Sequence, residues 1–322
     1  MSNILITSGG RRVSLVTAFK KELTKINPLA KVFVVDAFPG LSAASQISDK
    51  SFKICEIEDP AYIDSLLKIC IENNIRLIIP TLDTELLVLA KNKKKFLEFK
   101  IQLVLSSKKL IKKCNNKLKS QSLFNELNVG VPKVYSKDNY KLPIFIKPIN
   151  GSGSDENYLV KNEDQISKYH EKNDLLYFFE YLDHDVYDEY TCDLYYDKNS
   201  ILKCVIPRKR IETREGEVSK GVTKRNQIIS LIETNFMHLK GARGCITIQL
   251  FLHKTDKNIM GIEINPRFGG GFPLSYLAGG NYPKWLIQEY LLNETLSYYS
   301  GWEENLLMLR YDDEVLVHDY EK

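Results

Sequence analysis

Three oxygen-bearing side chains, Gln249, Glu263 and Asn265, have a spacing that could make one metal site. They lie on two apolar runs, 245–252 (CITIQLFL) and 259–265 (IMGIEIN), joined by the polar stretch 253–258. Two such runs around a turn-like segment predict a hairpin. With Asp256 at its centre, Gln249 falls opposite Glu263. Glu263 and Asn265 are two apart, so on a strand they share a face. Hard oxygen donors gathered on one face suit Mg2+, which often bridges a protein carboxylate and substrate phosphates. The same pattern would also serve as the outward polar side of an amphipathic strand. Pro266, Arg267, Phe268 and three glycines, Gly269, Gly270 and Gly271, come next. Arg267 could hold a guanidinium over a phosphoryl group, or be a surface arginine before a flexible turn.

A second constellation surrounds Lys147. The segment 143–148 (PIFIKP) reads as a strand that ends in Lys-Pro and enters a loop with Gly151, Ser152, Gly153 and Ser154. Small residues let backbone amides approach phosphate oxygens, and the lysine adds a point charge. A plain hairpin loop would look the same, and no Gly-Lys-Ser/Thr follows to make a Walker A motif. At the N-terminus, Gly9, Gly10, Arg11 and Arg12 follow a short strand, where an α/β sheet can bind an anion. Asp36 ends the second strand as a ribose-binding acid would. Without G-x-G-x-x-G this is only part of a dinucleotide fingerprint. Arg11 or Arg12 could hold a substrate carboxylate, or sit in solvent at a helix start.

The elements that carry these residues change in texture along the chain. In the first third, strands at 3–8, 31–36, 77–80 and 101–105 alternate with helices. The first helix has Val13, Val16, Leu23 and Ile26 on its apolar side and ends at Pro28; others fall at 62–73 and 85–95. Alternation predicts a parallel sheet with crossover helices. The stretch 106–128 reads as one helix, capped by Ser106 or Ser107 and stopped at Gly130 and Pro132. From Lys133 onward short strands recur with turn signals, an antiparallel α+β texture, and a helix returns at 281–293. The expected division is 1–106, 107–185 and 186–322.

A chain of 322 residues holds two or three domains at roughly 100–200 residues each. With 43% hydrophobic and 27% charged residues it is an ordinary globular composition, which excludes collagen-like and disordered classes. No apolar run reaches the roughly 20 residues of a membrane span, and the N-terminus lacks a signal-peptide pattern. A net charge of +4 calls for neither nucleic acid nor a membrane surface, but suits an anionic small molecule. The six cysteines have no C-x-x-C spacing, so reduced thiols in a cytoplasmic protein are expected. The histidines have no ligand spacing, and the tyrosines between 177 and 196 read as strand packing.

Together these residues resemble the ATP-grasp superfamily, most closely its carbamoyl-phosphate-synthase-like carboxylate–amine ligases, over essentially the whole chain. The resemblance implies an α/β and α+β architecture: an N-terminal Rossmann-like parallel sheet, then two antiparallel α+β subdomains that sandwich ATP. In residues 262–267 (IEINPR) it makes Glu263 and Asn265 metal ligands and Arg267 the contact to the transferred phosphate. Gln249 stands at the family's other metal position, where an acid is commoner. Lys147 corresponds to the strand lysine on the phosphates, and Gly151, Ser152, Gly153 and Ser154 to the lid. Lys117 corresponds to the second nucleotide lysine, with Asn116 in place of the usual Asp before it. Glu180, Tyr181 and Leu182 resemble the adenine hinge, and Glu189 the ribose-binding acid. The stretch from Pro207 through Arg208 and Arg210 to Gly216, Glu217, Lys220 and Gly221 resembles a phosphate- and substrate-facing loop.

The implied activity is ATP- and Mg2+-dependent (Mn2+ as a substitute) activation of a small-molecule carboxylate as an acyl phosphate, then capture by an amine, with Arg267, Lys147 and Arg210 as catalytic groups. Small-molecule carboxylate and amine partners follow; no nucleic-acid or membrane partner is expected, and a homodimer stays open. The alternative is a non-catalytic ATP-binding module or a subunit of a larger assembly.

Overall fold

The computed structural model describes residues 2–150, 156–214 and 216–320. Its first unit is a parallel sheet of β1 (Asn3–Thr7), β2 (Val32–Asp36), β3 (Lys50–Lys53), β4 (Ile75–Ile79) and β5 (Gln102–Leu103), in the order β3-β2-β1-β4-β5. Helices cover both faces, so β1 is buried at every position, with Ile4, Leu5 and Ile6 at its centre. The strand order reverses between β1 and β4, and ligands of such sheets bind outside the carboxyl ends at that point. The edge strand β3 reads KSFK, too polar and too short to signal itself in sequence. The first helix, Val13–Ile26, buries Leu15, Val16, Phe19 and Leu23. That corrects the expected stripe: Ile26 is exposed at the helix end, and Leu15 and Phe19 face the core instead.

The predicted single helix over 106–128 is two, Lys108–Cys114 and Lys117–Glu126. Ser107 caps the first by accepting the Leu110 amide. Asn116 is extended and accepts the Lys119 amide, which starts a new helix and makes Lys117 its first residue. An asparagine reads equally well as helix interior or cap; here its side chain decides for the cap.

The small second sheet contains β6 (Val134–Tyr135), β7 (Ile144–Pro148), β8 (Tyr158–Val160) and β9 (Leu176–Glu180), all antiparallel, in the order β6-β9-β7-β8. The third sheet holds β10 (Tyr187–Tyr196), β11 (Leu202–Arg214), β12 (Glu217–Thr223), β13 (Gly244–His253), β14 (Ile259–Asn265) and β15 (Leu307–Leu309), in the order β14-β13-β10-β11-β12-β15. The stretch from Glu217 to Gly221, expected as a loop, is strand β12 paired with β11.

One apolar cluster ties the first unit to the third sheet. It runs from Ile4 and Val32 through Phe19 to Phe268, Phe272 and Tyr282, and on to Tyr195 and Ile206. Phe19 meets Phe268 edge-on at 6.0 Å between ring centres. The segment just after β14, which carries Arg267, is therefore pinned against the N-terminal helix.

Candidate functional site

A cavity of about 850 Å³ opens where the three sheets meet. One wall is β13 and β14. Gln249 pairs in register with Glu263, and Thr247 with Asn265, so the three predicted metal donors share one face. A bulge between these pairs and the turn carries Leu250 opposite Gly261. The extra residue, Ile262, also lines the cavity. Glu263 makes no ion pair among the described residues. Gln249 donates its amide to Glu189 Oε1 at 2.5 Å, which leaves its own oxygen free. Arg210 on β11 completes the triad with Glu189 at 2.8 Å.

The donor set fits a magnesium ion shared with phosphates. Among the described residues no group of three His, Cys, Asp or Glu side chains could hold a metal unaided. One carboxylate and two amide oxygens leave coordination positions that a polyphosphate would complete.

Facing them are two lysines. Lys147, near the end of β7, stands over Phe179 at 4.8 Å from the ring centre, and no carboxylate pairs with it among the described residues. Burial pushes its ammonium down to about 8; Glu263 pulls it up and Lys117 pushes it further down. Lys117 reaches the same place because its amide donates to Ile149 O at 2.9 Å, while Asn116 Nδ2 donates to Asn150 Oδ1 at 3.0 Å. Its ammonium too is lowered by burial, against Glu263. An anion bridging the two lysines would reverse both shifts.

Glu180, Tyr181 and Leu182, at and beyond the end of β9, line the cavity beside Phe145, Leu159 and Ile262. The Glu180 carboxylate accepts the Lys133 amide at 3.0 Å, which fixes the strand end. This side offers apolar and aromatic surface beside the strand end. All the predicted site residues described by the structure, from Lys117 to Arg267, line this one cavity. Gly151, Ser152, Gly153 and Ser154 lie outside the described residues.

Sequence reasoning weighed Arg11 and Arg12 from the N-terminal unit but missed Asp83. Arg267 donates Nε and Nη2 to Asp83 Oδ2 at 3.1 and 2.6 Å. Burial opposes its charge, yet Asp83 and then Glu263 outweigh it and hold the guanidinium above its ordinary value. Asp83 opens the helix Asp83–Glu98 at the carboxyl end of β4. The loop before it is stitched down by Glu85, fully buried, whose Oε1 accepts the Thr81 and Leu82 amides at 2.6 and 3.0 Å. An acid just past a strand end at the switch point was the available signal, but a first-turn aspartate is equally explained by the helix dipole.

Arg12 donates to the carbonyls of Thr81 and Phe268, both at 3.1 Å, and so bridges the first unit to the segment after β14. Burial and then the nearby Arg267 lower it to about 10. Asp36 is occupied by the amides of Gly10 (2.9 Å) and Phe38 (3.1 Å), so it closes its own turn. Arg11 is exposed and pairs with Glu217 at 3.5 Å.

Residues 172–308 match the family described as "ATP-grasp in the biosynthetic pathway with Ter operon". That stretch is of ATP-grasp type. Residues 4–104 match the PylC-like N-terminal domain. No curated protein matches the chain in sequence. Among solved structures, biotin carboxylase from Campylobacter jejuni in complex with β,γ-ATP is similar at 16% identity, with 95% of this chain and 74% of that one covered and a TM-score of 0.73. N5-carboxyaminoimidazole synthetase from Staphylococcus aureus with ADP is similar at 14% identity, covering 96% and 80%, TM-score 0.70. L-amino acid ligase from Bacillus licheniformis is similar at 18% identity, covering 90% and 74%, TM-score 0.65. At these identities the likeness is one of fold. No helix among the described residues is long and apolar enough to cross a membrane.

Proposed function

We propose that the protein is an ATP- and Mg2+-dependent ligase that joins a small-molecule carboxylate to an amine. The observation that carries this reading is the gathering, in one cavity, of two half-buried lysines, Lys147 and Lys117, facing Glu263, which has no ion pair among the described residues. In this reading Lys147 and Lys117 bind the nucleotide phosphates, Glu180, Tyr181 and Leu182 face the purine, and Glu189 with Arg210 borders the ribose. Gln249, Glu263 and Asn265 would hold magnesium (Mn2+ would meet the same donors), which supplies charge neutralisation on the phosphoryl oxygens.

The chain needs no nucleophile of its own. Phosphoryl transfer to a carboxylate is governed by positioning and electrostatics. Arg267, oriented by Asp83, aims its charge at the phosphate being moved, and Lys147 follows the departing charge. The cavity's lining must then keep water from the activated acyl group until the amine arrives. The non-catalytic alternative draws no support from a site in which both Glu263 and Arg267 are in place. The test is ADP release. Glu263→Gln should abolish substrate-stimulated ADP production with the fold intact by circular dichroism, and wild-type turnover in that variant would overturn the metal assignment.

A further inference from the structure

We infer that Arg208 forms a second anion subsite in the same cavity, and that one of the substrates carries a carboxylate that is held there without reacting. The inference rests on the ligase reading above. Arg208 lies on β11 and is 1% exposed, yet it lines the cavity. Its Nε donates to Asp193 Oδ2 at 2.8 Å. Asp193, fully buried on β10, has other donors: the Ser275 hydroxyl at 2.6 Å on Oδ2 and the Thr247 hydroxyl at 3.0 Å on Oδ1. The carboxylate thus anchors one edge of the guanidinium and has no reach to the other. Nη1 and Nη2, both buried, find no hydrogen-bond partner among the described residues.

An arginine fixed at Nε with both terminal amino groups bare is set to receive a planar, two-oxygen anion. Buried donors left unmade are costly, so the site gains most from a ligand that supplies both acceptors. The backbone beside it can pass this close only as glycine. A Cβ at Gly271 would fall 2.2 Å from Arg208 Nη1, and one at Gly270 would fall 2.6 Å from the Glu217 carboxylate. The subsite is coupled to the phosphate end by one residue, because the Thr247 hydroxyl lies within 3.2 Å of the Arg267 carbonyl as well as against Asp193. A carboxylate gripped on both oxygens by a guanidinium loses nucleophilicity toward phosphorus, so the group bound at Arg208 is a spectator. The substrate class is therefore one with an anionic carboxylate besides the reacting centre.

The test uses the full chain with 15N-labelled arginine, loaded with Mg2+ and a non-hydrolysable ATP analogue, and acetate as the probe. Arg208→Lys assigns the Arg208 side-chain resonances. Acetate should move them saturably in the millimolar range. Gly271→Ala places a methyl where Arg208 Nη1 now lies and so displaces the guanidinium; it should abolish the response while the protein still melts cooperatively. No saturable shift in the wild type, or an equal one in Gly271→Ala, overturns the subsite. Calorimetry of the analogue on the same wild-type sample reports separately on the ligase reading: an absence of nucleotide binding would sink that reading, whatever acetate does.

Discussion

Nucleotide binding should draw protons onto Lys147. In the free protein burial holds its ammonium at about 8, so near pH 8 about half of the molecules carry a neutral lysine. A polyphosphate within about 4–6 Å favours the charged form by roughly 1–3 pKa units, enough to protonate nearly all of them. The expected uptake is about 0.5 proton per nucleotide near pH 8 and about 0.1 near pH 7. The sign follows directly. The bound state holds more protons, so affinity from this residue is complete below about pH 7 and falls as pH rises through about 8, by up to roughly tenfold per unit, about 1.4 kcal/mol. Calorimetry with a non-hydrolysable ATP analogue and Mg2+, in two buffers of different ionisation enthalpy, gives the proton number from the buffer dependence of the heat. Lys147→Met should remove most of the uptake and weaken binding at least about tenfold. Lys117, lowered by the same burial, accounts for any remainder. An uptake near zero at pH 8, or one unchanged in Lys147→Met, would refute both the buried-lysine argument and its assignment to the phosphates.

Asp83→Asn removes the charge that orients Arg267. It should lower kcat about 10–100-fold, consistent with a charge-assisted contact of roughly 1.5–3 kcal/mol, and change analogue affinity by less than tenfold; equal losses in kcat and affinity would mean that Asp83 acts on binding rather than on the transfer. Gly261→Ala tests how closely β14 approaches the helix Lys117–Glu126. A Cβ there would fall 2.5 Å from the Phe124 ring, so overpacking should cost about 1–3 kcal/mol in urea unfolding, and an unchanged midpoint would show that Phe124 yields freely. Glu189→Gln should loosen both Arg210 and Gln249, raising KM for ATP; a KM equal to wild type would remove Glu189 from the nucleotide site.

What could be read from the sequence is what local geometry determines. The spacing of Glu263 and Asn265 on one strand, and of Gln249 across a short turn, puts three donors on one face whatever the rest of the chain does. The alternating strands and helices of the first third announce a parallel sheet in the same way, because period and length are local properties. What stayed hidden is what joins distant segments. Asp83 is 184 residues from Arg267 in the chain, and nothing in the stretch around it marks it as other than a helix start. Arg208 and Asp193 are closer, but their pairing depends on β10 and β11 being neighbours in register, with Thr191 opposite Arg208, and on both side chains turning inward. The difference has a mechanistic sense. The residues legible locally sit on β13 and β14, two strands of one hairpin, and their mutual geometry survives any motion of the units around them. The long-range contacts, Asp83 on Arg267 and Arg12 on the Phe268 carbonyl, are those that bring the N-terminal unit to the phosphate end. In the proposed reading the nucleotide half of the site is therefore built into one sheet and the strands that face it, whereas the orientation of Arg267 requires the N-terminal unit to be docked. A change in that docking would alter the transfer step while leaving magnesium and nucleotide contacts in place, which is why the Asp83 variant should separate kcat from affinity.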